Sequence, residues 1–267
     1  MSNYWVDRLD EQNTRLAEKT EEELIQQIIK LYKSVLLGLK RDVRRLYQDI
    51  QANNARGIVS ISDLYKNDYY YKLISKLNKE LQELGNKEIE IYEKTFLEMY
   101  EKEQNLMKEI CPKPFTVGEV GVDRPLEVVN QIWTSDGKYW SDRIWGYHAD
   151  VEQRVMNTLT DCVSRGLGVN QVVGYLAEDF KVPVYQAERL IRTELSRIQN
   201  QSALDRYIAA GVSFYKIIGS DDDRICPICK LQLGKIYSVE KAQAGVTLPP
   251  FHPNGRCGIV PVIIGGH

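Results

Sequence analysis

The chain has 267 residues, 43% of them apolar, enough to bury one large core or two ordinary ones. Its 35 Lys and Arg nearly balance 37 Asp and Glu, which excludes a protein held to nucleic acid by overall positive charge and leaves room only for a local basic face. Five cysteines are odd in number and too few for a disulfide scaffold of this length, so reduced thiols are expected.

The first stretch, MSNYWVDRLDEQNTRLAEKTEEEL, is polar and acidic and has no apolar core of signal-peptide length; no later apolar run approaches a membrane span. A soluble, intracellular product without membrane insertion is expected. From about Glu21 to Ala52, apolar side chains at Leu24, Ile28, Leu31, Val35, Leu39, Val43, Leu46 and Ile50 step by three and four and form one helical stripe. Thr20 and Glu23 fit a capping box at its start, and ANNARG fits a stop. A second stripe runs through Leu64, Leu73, Leu77, Leu81 and Leu84, breaks at LGNKE, and resumes at Ile91, Thr95, Met99 and Leu106. This pattern predicts three long, antiparallel helices, read as a bundle or as arms that dock on a partner.

Residues 111–125, CPKPFTVGEVGVDRP, lack a helical period and carry three prolines and two glycines, so they read as a boundary. Beyond it a helix begins near Ser141 or Asp142 and stops at Gly166 or Gly168, and a shorter one covers about 170–180. A third begins with Pro183 in its first turn and ends at Gly211. The segments VSFYKII, GKIYS and GIVPVII then suit short strands. Two or three such strands bury too little surface to stand alone, so another element must pin them.

Cys226 and Cys229 form a C-x2-C knuckle, and His252 and Cys257 return after a 22-residue gap with four residues between them. This Cys3His spacing is that of structural zinc sites, where each pair of donors comes from one tight turn. Zinc suits soft thiolate donors and tetrahedral geometry, and a structural site contributes folding energy to a strand-poor segment. A catalytic zinc keeps one position open for water, whereas four protein donors leave none, so a closed structural site is expected. The acidic run Asp221, Asp222 and Asp223 reads as a solvated turn. Three buried thiols and a core histidine without metal are the alternative.

LIRTELSRIQNQSALDRYIAAGV, followed by a short strand, DDRICPIC, GKIYS and PPFHPNGRC, resembles the phage head-morphogenesis proteins of the Mu F-like minor capsid family over roughly residues 130–262. YWVDR and the long helices after it are similar more loosely. The resemblance implies a minor head protein of a tailed phage or prophage, present in few copies and associated with the portal vertex. It further implies action in head morphogenesis and in DNA packaging or ejection. The implied partners are the portal protein and the major capsid or scaffold proteins, with contact to packaged DNA. The implied location is the virion, at the capsid interior or portal vertex, with the host cytoplasm during assembly. The family pattern reads His-Pro-x-Cys-Arg-Cys, whereas this chain has Gly255 in place of the first of those cysteines; the ligand role is carried to Cys257. Arg192, Thr193 and Glu194 are shared with the family. Residues 192 and 194 do not face each other on a helix, while Glu188 with Arg192 and Glu194 with Arg197 can pair, so the triplet reads as a structural helix contact toward the zinc module rather than as catalysis.

The fold class expected is therefore mainly α with a small C-terminal α+β zinc-knuckle module. It divides into a helical arm or bundle over 1–110, a linker over 111–135, a helical part over 136–210 and a small β module over 211–267. The function expected is assembly, not catalysis; the alternative is a zinc-dependent nuclease or nucleic-acid-binding protein using His252. Trp133, Trp140 and Trp145 with Tyr139 and Tyr147 read as core, or as a partner surface. Of Tyr69, Tyr70 and Tyr71 at least one must face away from its own core. His148 is expected to be structural or exposed, and Cys111 and Cys162 to be packing residues.

Overall fold

A computed structural model describes residues 4–52, 59–111, 118–219 and 225–262. The helices are α1 (Tyr4–Ala52), α2 (Ile61–Lys66), α3 (Asp68–Ile110), α4 (Arg124–Val129), α5 (Trp140–Ser164), α6 (Val169–Asp179), α7 (Lys181–Ala209) and α8 (Pro227–Gln232). The strands β1 (Phe214–Ile218), β2 (Ile236–Ser238) and β3 (Gly258–Val262) form one antiparallel sheet in the order β2-β1-β3, with Tyr215 opposite both Tyr237 and Pro261. The protein is thus mainly α with a small sheet near its C-terminus. The tail of ANNARG after Ala52 and the run Asp221, Asp222 and Asp223 lie outside the described residues.

Two expectations about the long helices are corrected. Thr20 does not cap a helix: α1 is already helical from Tyr4, and Thr20 is buried within it. Nor does α3 break at LGNKE. A Cβ on Gly85 would lie 2.4 Å from the Trp145 ring and 3.0 Å from His148 Nδ1, so this glycine is where α5 makes close contact rather than where α3 ends. The cost of a mid-helix glycine, about 1 kcal/mol relative to alanine, is outweighed by that packing. Two long helices and the short α2 therefore stand where three long ones are expected. Within residues 111–135 the chain forms α4.

The chain divides into two compact units that interleave in sequence. One comprises Ile25–Glu90 and Ser141–Glu188; the other comprises Met1–Leu24, Ile91–Trp140 and Arg189–His267. The first is a helical unit whose core takes Ile28, Tyr32, Leu39, Val43 and Leu46 from α1, Leu73, Leu77 and Leu81 from α3, and Val151, Val155 and Leu159 from α5. Inside it, His148 is buried. Its Nδ1 donates to the Leu81 carbonyl at 2.9 Å, and its Nε2 meets Glu88 Oε2 at 2.6 Å, with the Tyr32 hydroxyl 3.1 Å from the same nitrogen. A carbonyl can only accept, which fixes the Nδ1 proton, and one further proton is shared along the Nε2 to Glu88 contact. Tyr70 is buried and Tyr71 is 56% exposed.

The second unit joins the sheet to helices. Tyr215, Ile217 and Ile259 from β1 and β3 share one core with Ala203, Leu204 and Tyr207 of α7, Met107 of α3 and Leu9 of α1. Trp140 is buried and donates its indole N–H to the Val129 carbonyl, while Trp145, in the first unit, is 38% exposed. Cys111 and Cys162 are buried. Asp205 of α7 accepts from Tyr100 at 2.6 Å and from both Arg124 Nε and Nη2, at 2.8 and 3.1 Å, which anchors α4 to α7.

Glu103 is fully buried beside Gln199, whose amide donates to it at 3.1 Å. Burial pushes its carboxyl from 4.5 up to about 7, against the Gln199 and Asn13 amides, which pull it down. The fold thus favours the protonated form: this stabilisation is complete below about pH 4.5 and is lost as the pH rises through about 7. Glu103→Gln is expected to match the wild type near pH 4.5 and to exceed it at pH 8 by about 3 kcal/mol, at about 1.4 kcal/mol per pKa unit. Urea unfolding at the two pH values measures this, and a difference that does not change with pH would refute it.

Candidate metal centre

Cys226 occupies the N-cap of α8, with Pro227 as the first helical residue, where a missing N–H costs nothing. This geometry turns the Cys229 amide back onto Cys226 Sγ at 3.3 Å, and the two sulfurs of the knuckle face one way. That amide holds the Cys226 thiol below its ordinary value. Burial, and then contact with Cys257, pushes the Cys229 thiol well up, and burial also raises Cys257.

His252 arrives from the loop before β3. Its Nε2 lies 2.9 Å from Cys226 Sγ and 3.0 Å from Cys229 Sγ. Its Nδ1 is 2.7 Å from the Pro253 carbonyl, an acceptor only, so Nδ1 carries a proton and Nε2 is the ring nitrogen that faces the sulfurs. This is the arrangement in which a second contact sets the tautomer of a metal-binding histidine. The donor atoms of Cys226, Cys229 and His252 all lie within 4.8 Å of one another. Cys257 stands outside that trio, but its thiol interacts with that of Cys229, and it lines the same small cavity of about 50 Å³. Asn254 and Arg256 line it too, and Asn254 Oδ1 is buried without a hydrogen-bond partner. Two sulfurs and a free imidazole nitrogen converging on one point, with a third sulfur adjacent, fit a soft divalent ion.

The loop itself is shaped by small residues. Asn254 has φ 63°, a left-handed conformation that asparagine tolerates, and the Gly255 amide closes a turn onto the His252 carbonyl at 3.1 Å. A Cβ at Gly255 would stand 3.1 Å from that carbonyl oxygen and 3.3 Å from Pro250 Cβ. The turn is therefore tight around glycine, and a side chain there would require the His252 carbonyl and Pro250 to give by a few tenths of an ångström.

Helix α7 holds this loop in place. Thr193 Oγ1 accepts the Asn254 amide at 3.2 Å, Asn200 Nδ2 donates to the Cys257 carbonyl at 3.1 Å, and the Tyr207 hydroxyl donates to the Ile259 carbonyl at 3.1 Å. These three residues are spaced by seven, so they share one face of the helix. Thr193 alone of them was singled out by sequence; the seven-residue polar spacing was the signal for Asn200 and Tyr207. Arg192 points elsewhere, its Nε 2.6 Å from Glu21. Glu194 is buried, accepting from Trp133 Nε1 at 2.9 Å and from Arg197 Nε at 2.7 Å, while Arg197 also reaches the Val128 carbonyl.

Residues 153–260, from within α5 to β3, match the family model described as Phage Mu protein F like protein. Over this stretch, less than half of its length, the chain is similar to the Mu F-like phage head-morphogenesis proteins. The Mu F-like region takes in α7, the knuckle and the His252 loop, whereas α1 to α4 lie outside the match. Comparison with curated proteins and with solved structures gave no match. No described helix is long and apolar enough to cross a membrane.

Proposed function

We propose that this Mu F-like protein is a minor head component associated with the portal vertex, acting in head assembly and in DNA packaging or delivery, and that its Cys and His cluster is a closed structural zinc site. The observation that carries the proposal is the coincidence of the family match with a donor set built into the loop that α7 grips. Cys226, Cys229 and His252 would hold the ion, with Cys257 moving in as the fourth donor. The ion would neutralise the thiolates and fix the knuckle to the loop. Filling all four positions leaves none for a reacting water.

The nuclease alternative requires His252 as a general base, which needs a free ring nitrogen near a hydrolytic cation. Here one nitrogen is bonded to the Pro253 carbonyl and the other lies between two sulfurs. Heads assembled in infected or induced cells are expected to carry the chain together with the portal ring, in far fewer copies than the major capsid protein. Heads that contain none of it, or divalent-metal-dependent DNA cleavage by the purified protein that His252→Ala abolishes, would overturn the proposal.

A further inference from the structure

Between residues 30 and 45, α1 carries six cations, Lys30, Lys33, Lys40, Arg41, Arg44 and Arg45, against one acid, Asp42. At 3.6 residues per turn all six fall within an arc of about 140°. Five of them are exposed and Lys40 is half-buried. On α3 some cations are answered by acids of the same helix: Lys79 pairs with Glu83, and both Lys94 and Lys102 pair with Glu98. The acids beside it, Asp42 and Glu80, are both taken by Lys76 of α3. Among the described residues, Lys30, Lys33, Lys40, Arg41 and Arg44 have no ion-pair partner, and Arg45 only stacks on the Tyr69 ring. Like charges four apart, as in Lys40 with Arg44 and Arg41 with Arg45, weaken a helix rather than support it.

We propose that this face of α1 binds the phosphate backbone of duplex DNA without reading its sequence. At 1.5 Å per residue the six cations span about 22 Å, a mean spacing of about 4.5 Å, and one strand of a duplex presents a phosphate about every 3.4 Å along its axis. The two spacings are of the same order, and a duplex offers an unbroken row of anions over the whole span of about 22 Å, which favours a nucleic acid as the partner. Leu37, 62% exposed on the same face, is a single apolar side chain of the sort that soluble surfaces commonly carry. The surface lies outside the Mu F-like match and far in sequence from the knuckle, so it adds a contact to the proposed role in DNA handling without depending on the metal site.

The test is fluorescence anisotropy of the full chain with a labelled duplex of mixed sequence. Five phosphate contacts predict that affinity falls about 500-fold between 50 and 200 mM salt, from a slope near −0.9 per contact. The Lys33→Glu, Arg41→Glu, Arg44→Glu triple variant is expected to lose binding at both salt concentrations. A control of equal charge change on α3, Lys79→Glu, Lys94→Glu, Lys102→Glu, is expected to keep most of it, and circular dichroism of both triples establishes that they fold. Absence of wild-type binding at 50 mM salt, retention by the α1 triple, or equal loss in both triples would overturn the proposal. Binding of polyglutamate but not of the duplex, lost in the α1 triple, would overturn it in favour of an acidic protein partner. The assay contains no portal or capsid protein, so its failure leaves the assembly reading standing.

Discussion

Cys229→Ser is expected to abolish metal retention and to open the segment from β1 to β3 while leaving the long helices formed. Protein purified without chelators should contain one zinc per chain by elemental analysis, and the variant close to none. In isolated finger peptides zinc contributes about 10–16 kcal/mol of apparent folding energy. The loss here is smaller in its consequences, because the sheet does not depend on the ion alone: Tyr215, Ile217 and Ile259 are packed against Leu204, Tyr207 and Met107. The expected picture is local opening. Limited proteolysis should cut the variant within residues 225–257 at rates the wild type reaches only with a strong chelator, and the helical circular dichroism should change little. Wild-type protein free of zinc, or a variant as resistant as the wild type, would remove the site from the account. Cys257→Ser separates two versions of the idea. If Cys257 supplies the fourth donor, zinc retention falls sharply; if only the trio of Cys226, Cys229 and His252 binds, it survives.

Glu194→Ala should be the most damaging single change away from the knuckle, costing about 3–5 kcal/mol in urea unfolding, the usual cost of leaving a buried charge without its partner. Arg197 has a 1% exposed side chain and would keep only the Val128 carbonyl, and the Trp133 indole N–H would lose its acceptor. Adding Arg197→Met should recover part of the loss, because the stranded charge goes with it. This result bears on function as well as on stability. Arg192, Thr193 and Glu194 lie on three different errands, to Glu21, to the Asn254 amide, and to Trp133 with Arg197. A triplet that served catalysis would tolerate Glu194→Ala with little change in stability.

Local rules made much of the molecule legible. Pro183 in the first turn of α7, the stops of α7 just before Gly211 and of α5 just before Gly166, and the three strand segments all follow from signals that act within one turn or one alternating run. The same rules misplaced the start of α1 and invented a break in α3. A capping box at Thr20 and a glycine at 85 are also compatible with a helix interior, and only the neighbours decide which holds. Trp145 and His148, about sixty residues away in sequence, are what make Gly85 a packing site.

From the sequence by itself came the helical character of the chain, the candidate donors Cys226, Cys229, His252 and Cys257, and the resemblance to a head-morphogenesis family, since each rests on residue type and spacing within short segments. The tertiary structure alone decided that Thr193, Asn200 and Tyr207 grip the His252 loop, that Gly255 sits in a turn where a Cβ would be tight, and that six cations on α1 have no ion-pair partner among the described residues. The physical reason is common to all three. Spacing along the chain determines which side chains share a face, but what that face meets depends on groups dozens of residues away, and a hydrogen bond or ion pair exists only where the fold brings both partners within about 3 Å.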